Sequence, residues 1–369
     1  MNLSGRVTTV DRTRIVCGGD MSLVDSFLKS HRRSISRIII LVDDNTGRLC
    51  LPVLKAATSS FDDALVLEVP SGEMTKSLDT AALLWKELMT SRADRHTLMI
   101  NLGGGMVSDL GGFVASAYQR GISYINIPTT LMAQADAAIG GKTAVNLGII
   151  KNQIGFFFPP MAAFIFPEFL RTLPYDQIRS GFAEIIKTSL ISDPVLWNKL
   201  RKFPVSQKAF LTGKSFREIL FKTVTIKNSI VRRDFREKGI RKTLNFGHTV
   251  GHALESWSQS PDRQTLLHGD AVAIGIVCET YLSYRKTGLS SQDLEDITSC
   301  IGISYPWYRF TEEDIPVLTG LMGHDKKNRN DRLGFTLLES VGKPRTQVFC
   351  EEEEIGESLR YYLHECSGQ

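Results

Sequence analysis

Two histidines four residues apart, His248 and His252, close the stretch from Gly239 to His252, and a third, His268, follows in Leu266-Leu-His-Gly-Asp270. Positions i and i+4 of a helix share a face, so the first two imidazoles can meet one ion or one substrate. The spacing alone fits two ordinary helix histidines equally well. The neighbours favour chemistry. Arg241 and Asn245 precede His248 by one to two helical turns, and the segment Lys222 to Lys242 carries Lys227, Arg232, Arg233, Arg236 and Arg241. This composition suits a metal site facing an anionic ligand, and an arginine fork suits a carboxylate held at two points. Upstream, Glu184 and Lys187 stand three apart among Phe182, Ile185 and Ile186. An exposed ion pair is the plain reading of such a pair. The apolar neighbours argue instead for burial, where a carboxylate needs a partner such as a metal.

A second group of residues suits a nucleotide. Gly103-Gly-Gly-Met-Val-Ser-Asp109 follows an expected strand and opens an expected helix, so that a phosphate can approach backbone amides at a helix N-terminus. The spacing departs from Gly-x-Gly-x-x-Gly, and a ligand-free turn would also use glycines. Asp43-Asp44-Asn45 at an earlier strand end offers an acid to a ribose, and Ser71 to Ser77, with Glu73 and Lys76, is a polar loop after the next strand. Together these look like a dinucleotide site assembled from successive strand ends. Gly140-Gly-Lys-Thr143 is not a P-loop, because the position that needs the upstream glycine is Asp136. With Pro128 to Asp136, Lys151 and Asn152, it is a run of small residues, amides and lysines suited to a phosphorylated ligand.

The elements that must position these groups change character along the chain. Residues 37–42, 64–69, 97–102 and 123–128 read as buried strands separated by helical spacing, which is the pattern of a parallel sheet with crossover helices. After about residue 167 the spacing turns helical over 176–191, 215–232, 248–258, 269–286 and 291–301, until a hairpin at 333–349 and a last helix from about 353. The expected fold is an α/β N-terminal domain with a Rossmann-like, mainly parallel sheet over residues 1–166, followed by a mainly α-helical domain over 167–369. The 369 residues with 42% apolar content permit two cores. A net charge of +4 is too mild for nucleic acid, and six scattered cysteines without Cys-x-x-Cys suit reduced thiols, none of them an expected nucleophile. The longest apolar stretch, about 154–166, is broken by Pro159 and Pro160, and no leader pattern is visible, so a cytoplasmic protein without membrane association is expected.

Taken in order, these motifs resemble the 3-dehydroquinate synthases of the sugar phosphate cyclase family. The resemblance runs from about Asp43 to the C-terminus through Gly72-Glu73, Lys76, Gly103 to Asp109, Arg120, Pro128-Thr-Thr130, Gly140 to Thr143, Ala183-Glu184, Lys187, Leu244 to Thr249, Gly251-His252, Leu267-His-Gly269 and Asp325-Lys-Lys327. It implies that Glu184, His248 and His268 bind a divalent metal, zinc or alternatively cobalt, and moves His252 to the substrate side or to a proton relay. It implies NAD held by Asp43, Asn45, Glu73, Lys76, Gly104, Gly105, Asp109, Thr129, Thr130, Lys142, Lys151 and Thr172. It implies substrate held by Asp136, Lys142, Asn152, Lys187, Lys227, Arg241, Asn245, His252 and one of Lys326 and Lys327, with Arg120 reaching phosphate in a neighbouring subunit of a homodimer. The implied reaction is the redox-assisted cyclisation of 3-deoxy-D-arabino-heptulosonate 7-phosphate to 3-dehydroquinate and phosphate. A sibling cyclase, such as an aminodehydroquinate synthase, and a metal-dependent polyol dehydrogenase are the alternatives. A catalytically silent NAD-binding subunit is disfavoured by the complete ligand set. Ala144 departs from the family, which usually has glycine there.

Overall fold

The computed structural model describes residues 6–10, 13–148, 150–323 and 333–365. The chain divides into two compact units, Met1–Pro174 with Leu211–Arg236, and Tyr175–Phe210 with Glu237–Gln369. In the first unit the order is β1 (Arg6–Val10), β2 (Thr13–Cys17), α1 (Ser22–His31), β3 (Ile38–Asp43), α2 (Asp44–Leu49), α3 (Leu51–Ala56), β4 (Leu65–Val69), α4 (Leu78–Thr90), β5 (Leu98–Gly103), α5 (Gly105–Ala117), β6 (Ser123–Pro128), β7 (Lys142–Leu147), β8 (Ile150–Phe157) and β9 (Ala162–Ile165). Seven of these strands form one sheet, ordered β1-β2-β9-β6-β5-β3-β4. Only the β1–β2 pair is antiparallel.

Burial on both faces explains the unbroken apolar run of β3 and the runs of β5 and β6, interrupted only by the buried Asn101 and Asn126. Side chains alternate across a strand, so Ile40 and Val42 of β3 join the core formed with Phe27 and Leu28 of α1. Ile39 and Leu41 join Leu84 and Leu88 of α4 and Leu110 and Phe113 of α5 on the other face. The β1–β2 and β7–β8 hairpins and the short β9 add strands beyond the four read from the sequence. In β8 only scattered positions are even half-buried, so no alternation marks it as a strand.

The second unit is helical: α6 (Tyr175–Ser192), α7 (Pro194–Leu200) and α8 (Gln207–Thr212) precede α9 (Lys214–Arg233), and α10 (His248–Trp257), α11 (His268–Thr287), α12 (Ser291–Ser304) and α13 (Ile315–Gly323) follow. The hairpin of β10 (Leu333–Ser340) and β11 (Lys343–Cys350) and the helix α14 (Glu352–Glu365) complete it. The division differs from the expected boundary at 166/167 because α9 groups with the first unit, where it lies against β1 and the 133–137 turn. Among the described residues no helix is long and apolar enough to cross a membrane.

α11 is the axis of the second unit, packed by α6, α10, α12, α14 and β10 and buried continuously from Gly269 to Thr280. Its first turn sits directly on α6. The Gly269 amide donates to Ser180 Oγ at 3.0 Å, and Arg179 holds Asp270 with Nη2 3.0 Å from Oδ2. A Cβ at Gly269 would lie 1.8 Å from the Ser180 carbonyl oxygen, so the backbones could not keep this distance. Gly269→Ala is therefore expected to lower stability by about 1–3 kcal/mol, the usual range for overpacking. Denaturant unfolding checks this, and an unchanged midpoint would show that the α6–α11 contact yields without cost.

Candidate active site

The contact between α6 and α11 brings Glu184 and His268 together, and α10 adds His248. Glu184 is 1% exposed. Lys187 Nζ, one helical turn on, donates to Glu184 Oε2 in a buried ion pair. Glu184 Oε1 is buried and makes no hydrogen bond, yet His248 Nε2 stands 3.4 Å from it and His268 Nε2 3.7 Å. In a tetrahedral zinc site with bonds of about 2.0–2.2 Å, ligand atoms lie roughly 3.3–3.6 Å apart. The oxygen thus stands from each of the two nitrogens near the separation that ligands of a small divalent cation keep.

The far side of each ring fixes which nitrogen faces this centre. His248 Nδ1 lies 3.2 Å from the Phe246 carbonyl oxygen, an acceptor that requires the proton on Nδ1. His268 Nδ1 lies 3.0 Å from Glu255 Oε2 in the same sense. Both Nε2 lone pairs are left facing Glu184, the arrangement in which an outer carbonyl or carboxylate orients a metal-binding imidazole. Burial opposes the charged form of Glu184, but Lys187 and His248 hold its carboxyl well below the usual range. Burial and then Lys187 push His248 down, whereas Glu184 and Glu255 outweigh burial at His268 and raise it to about 10. The centre attracts a proton or a cation in its place.

His252 shares the α10 face with His248, their ring centroids 5.2 Å apart, as the four-residue spacing predicts. His248, His252 and His268 also offer nitrogens within 4.8 Å of one another, so a three-histidine site competes on distance alone. We favour the set with Glu184, because its buried oxygen needs compensation while His252 is exposed. The helix expected from His248 starts there, and Arg241 and Asn245, counted as one to two helical turns before it, lie instead on a separate 3-10 turn that ends before Gly247. Gly247 has φ 79°, the left-handed conformation that breaks the path and restarts it as α10. Arg241 is 2% exposed, so it is not a solvated member of the basic segment 222–242. Asn245 Nδ2 donates to Glu237 Oε1 at 3.0 Å.

In the first unit, β4 lies on one side of β3 and β5 on the other, so the chain changes direction in the sheet between β3 and β5. The carboxyl ends of such strands, here Asp43 and Gly103, are where open α/β sheets bind ligands. Gly104 caps α5 without a side chain, leaving the first helical amides open, and a Cβ there would meet Thr130 Cγ2 at 2.9 Å. Asp43 already has a structural task, since Oδ1 accepts from the Thr46 amide at 2.8 Å as the α2 cap, with Asn45 exposed beside it. Lys76, 4% exposed, joins Glu73 at 3.0 Å, Asp109 at 3.1 Å and Asn152 Oδ1 at 2.6 Å. Asn152 holds a positive φ of 54°. Lys227 Nζ reaches Asp136 Oδ1 at 2.6 Å. Lys142 begins β7 exposed, Lys151 is half-buried in β8, Thr129 is buried beside Thr130 after β6, and Thr172 is exposed. Arg120 is exposed on a turn where Gln119 and Arg120 both hold positive φ, 48° and 67°. Lys326 and Lys327 lie outside the described residues. Burial pushes the Cys17 and Cys350 thiols up to about 12 and those of Cys50 and Cys300 to about 11, which suits none of them to act as a nucleophile.

Glu255 escaped the sequence reading although it stands three residues after His252 on α10, a spacing that could have marked it. The geometry yields a direct test. Elemental analysis of Glu184→Gln and His268→Ala is expected to show loss of about one divalent ion per chain, since two ligands rarely hold a catalytic ion, while His252→Ala keeps it. Loss in His252→Ala with retention in His268→Ala would assign the ion to the three-histidine set.

Residues 66–180 match the family model described as 3-dehydroquinate synthase N-terminal, and residues 181–328 the one described as 3-dehydroquinate synthase C-terminal. A 3-dehydroquinate synthase of Parabacteroides distasonis is 41% identical over 348 residues, covering 94% of this chain and 97% of the relative. Among solved structures, a 2-epi-5-epi-valiolone synthase from Streptomyces hygroscopicus with NAD+ and Zn2+ bound superposes with a TM-score of 0.84 at 24% identity, covering 97% of this chain and 99% of that one. A 2-deoxy-scyllo-inosose synthase complexed with carbaglucose-6-phosphate, NAD+ and Co2+ gives 0.81 at 24%, covering 96% and 99%. The two structures share the fold, and the matched domains and the Parabacteroides relative go further: this chain belongs to the 3-dehydroquinate synthase family.

Proposed function

We propose that the chain converts 3-deoxy-D-arabino-heptulosonate 7-phosphate to 3-dehydroquinate and phosphate, a step of the shikimate pathway to aromatic amino acids, with NAD and a divalent ion, zinc or cobalt, as resident cofactors. The observation that carries the reading is the orphaned Glu184 oxygen with two imidazole Nε2 atoms at 3.4 and 3.7 Å, in a chain of this family. When bound, NAD supplies reversible hydride acceptance and the metal supplies Lewis acidity. The protein's part is to bind, orient and balance charge. Glu184, His248 and His268 hold the ion. The α5 amides at Gly104 and Gly105 take the dinucleotide diphosphate, Asp43 and Asn45 take a ribose, and Glu73, Lys76, Asp109, Thr129, Thr130, Lys142, Lys151 and Thr172 line the remainder.

Toward substrate, the family resemblance assigns Asp136, Lys142, Asn152, Lys187, Lys227, Arg241, Asn245, His252 and one of Lys326 and Lys327. Arg120 of a second subunit stabilises the departing phosphate, which makes the assembly a homodimer. His252, the exposed imidazole beside the metal set, relays the proton of the alcohol that is oxidised and later restored. Bound NAD would supply hydride acceptance and return without net oxidation, so the net reaction is elimination and ring closure, and the enzyme is a carbon–oxygen lyase of the cytoplasm. The deciding assay is phosphate release from the heptulosonate phosphate with and without chelator. Release that depends on metal, without accumulation of NADH, is expected. Accumulating NADH on a polyol would favour the dehydrogenase.

Arg241 separates this substrate from neutral sugar phosphates. Its burial suits a planar two-point contact with the substrate carboxylate, which neutral hexose and sedoheptulose phosphates lack. Arg241→Ala is expected to lose about 2–5 kcal/mol of substrate interaction, the range for breaking a buried charge pair, while NAD and metal binding persist. Turnover of the heptulosonate phosphate, glucose 6-phosphate and sedoheptulose 7-phosphate by both proteins measures it. A wild type that prefers a substrate without the carboxylate would overturn the assignment. For the cofactor, Gly104→Val is expected to weaken NAD binding about tenfold through loss of backbone contacts worth about 1 kcal/mol each. Calorimetric titration reads this, and unchanged affinity in the folded variant would move the dinucleotide elsewhere.

A further inference from the structure

The N-terminus of α10 is capped from a different helix. Its N-cap, Gly247, has no side chain to offer, and the first amides of any helix need acceptors. Glu279, in the middle of α11 and 0% exposed, supplies them. Its Oε2 accepts from the Gly247 amide at 2.7 Å, and its Oε1 accepts from Thr249 at 3.0 Å and Val250 at 3.3 Å. The positive end of the α10 dipole adds to these bonds in stabilising a buried carboxylate. One turn earlier on α11, a Cβ at Gly275 would lie 2.0 Å from the Gly247 carbonyl oxygen. The two positions share a face of α11: Gly275 permits the close approach, and Glu279 bonds what has approached.

The turn held in this way is the one that aims His248. Phe246, whose carbonyl fixes His248 Nδ1, and Gly247, whose amide Glu279 binds, immediately precede it. We infer that Glu279 is a positioning residue for the metal centre, holding the 246–250 turn so that His248 Nε2 faces Glu184 Oε1. The inference rests on the proposed role of His248 as a ligand. Glutamine at this position has one carbonyl oxygen where the carboxylate has two acceptors, so its amide group must meet one backbone N–H with another, and the turn shifts.

The test compares wild type, Glu279→Gln and Glu279→Asp, each stripped of metal and titrated with Zn2+ against a competing chelator and with Co2+ by visible absorption. Outer residues that orient metal ligands affect affinity by roughly 10–100-fold. Zn2+ affinity is expected to fall within that range in Glu279→Gln and by less in Glu279→Asp, which keeps the charge but withdraws it by one methylene. The Co2+ spectrum should change with it, while NAD affinity, which depends on the first unit, stays within about twofold of wild type. A folded variant with a lowered unfolding midpoint but wild-type Zn2+ affinity and Co2+ spectrum would overturn the inference and leave Glu279 a purely structural cap. If Glu279→Gln does not fold, Glu279→Asp is judged by the same criterion. A wild type that binds neither ion would instead remove the underlying reading of His248.

Discussion

A carboxylate carried into an apolar interior must be compensated, and the second unit is arranged around that requirement at Glu184. Phe182, Ile185 and Ile186 exclude water from its surroundings on α6. Lys187 neutralises one oxygen, and the other faces two imidazoles whose outer nitrogens are committed to Phe246 and Glu255. Each compensating group comes from a separate element, so α6, α10 and α11 must meet closely. Glycines make this possible: Gly269 against Ser180, and Gly275 against Gly247. The stability of this packing and the geometry of the centre are therefore properties of the same contacts.

In the proposed reading the first unit solves a different problem, presenting backbone amides to an anion. Its parallel sheet places the ends of β3 and β5 side by side, and the uncapped N-terminus of α5 opens there. Lys76 connects this region internally: the ammonium is buried, and burial disfavours its charge, but Asp109 and Glu73 more than offset that and raise its pKa. Burial conversely raises Asp109 despite Lys76. The pair is stable only as a network, which includes the Asn152 side chain from a residue with left-handed backbone.

The scaffold is shared with cyclases whose structures resemble this one at 24% identity, so the fold does not choose the substrate. Choice lies in a few side chains. A buried guanidinium at Arg241 is costly opposite an uncharged group and favourable opposite a carboxylate, which ties the proposed specificity to one desolvated charge.

The sequence by itself determined the layers: the unbroken apolar run at 38–42 and the run at 98–102, interrupted only by Asn101, mark strands buried on both faces, and long helical spacing marks α6, α9 and α11. It also placed His248 and His252 on one face, because i and i+4 adjacency is a local property of a helix. It left half-exposed strands such as β8 unread, since their alternation is weak, and it counted Arg241 and Asn245 in helical turns before His248, although a left-handed Gly247 separates their 3-10 turn from α10. Which atoms meet at the centre was decided by tertiary structure alone. Glu255 and Glu279 act across 13 and 32 residues of sequence, on His268 Nδ1 and the Gly247 amide. Local periodicity carries no record of contacts made through packing, and α9 illustrates it: a regular helix in sequence, it lies against β1 and the 133–137 turn of the first unit because its apolar face finds its partners there.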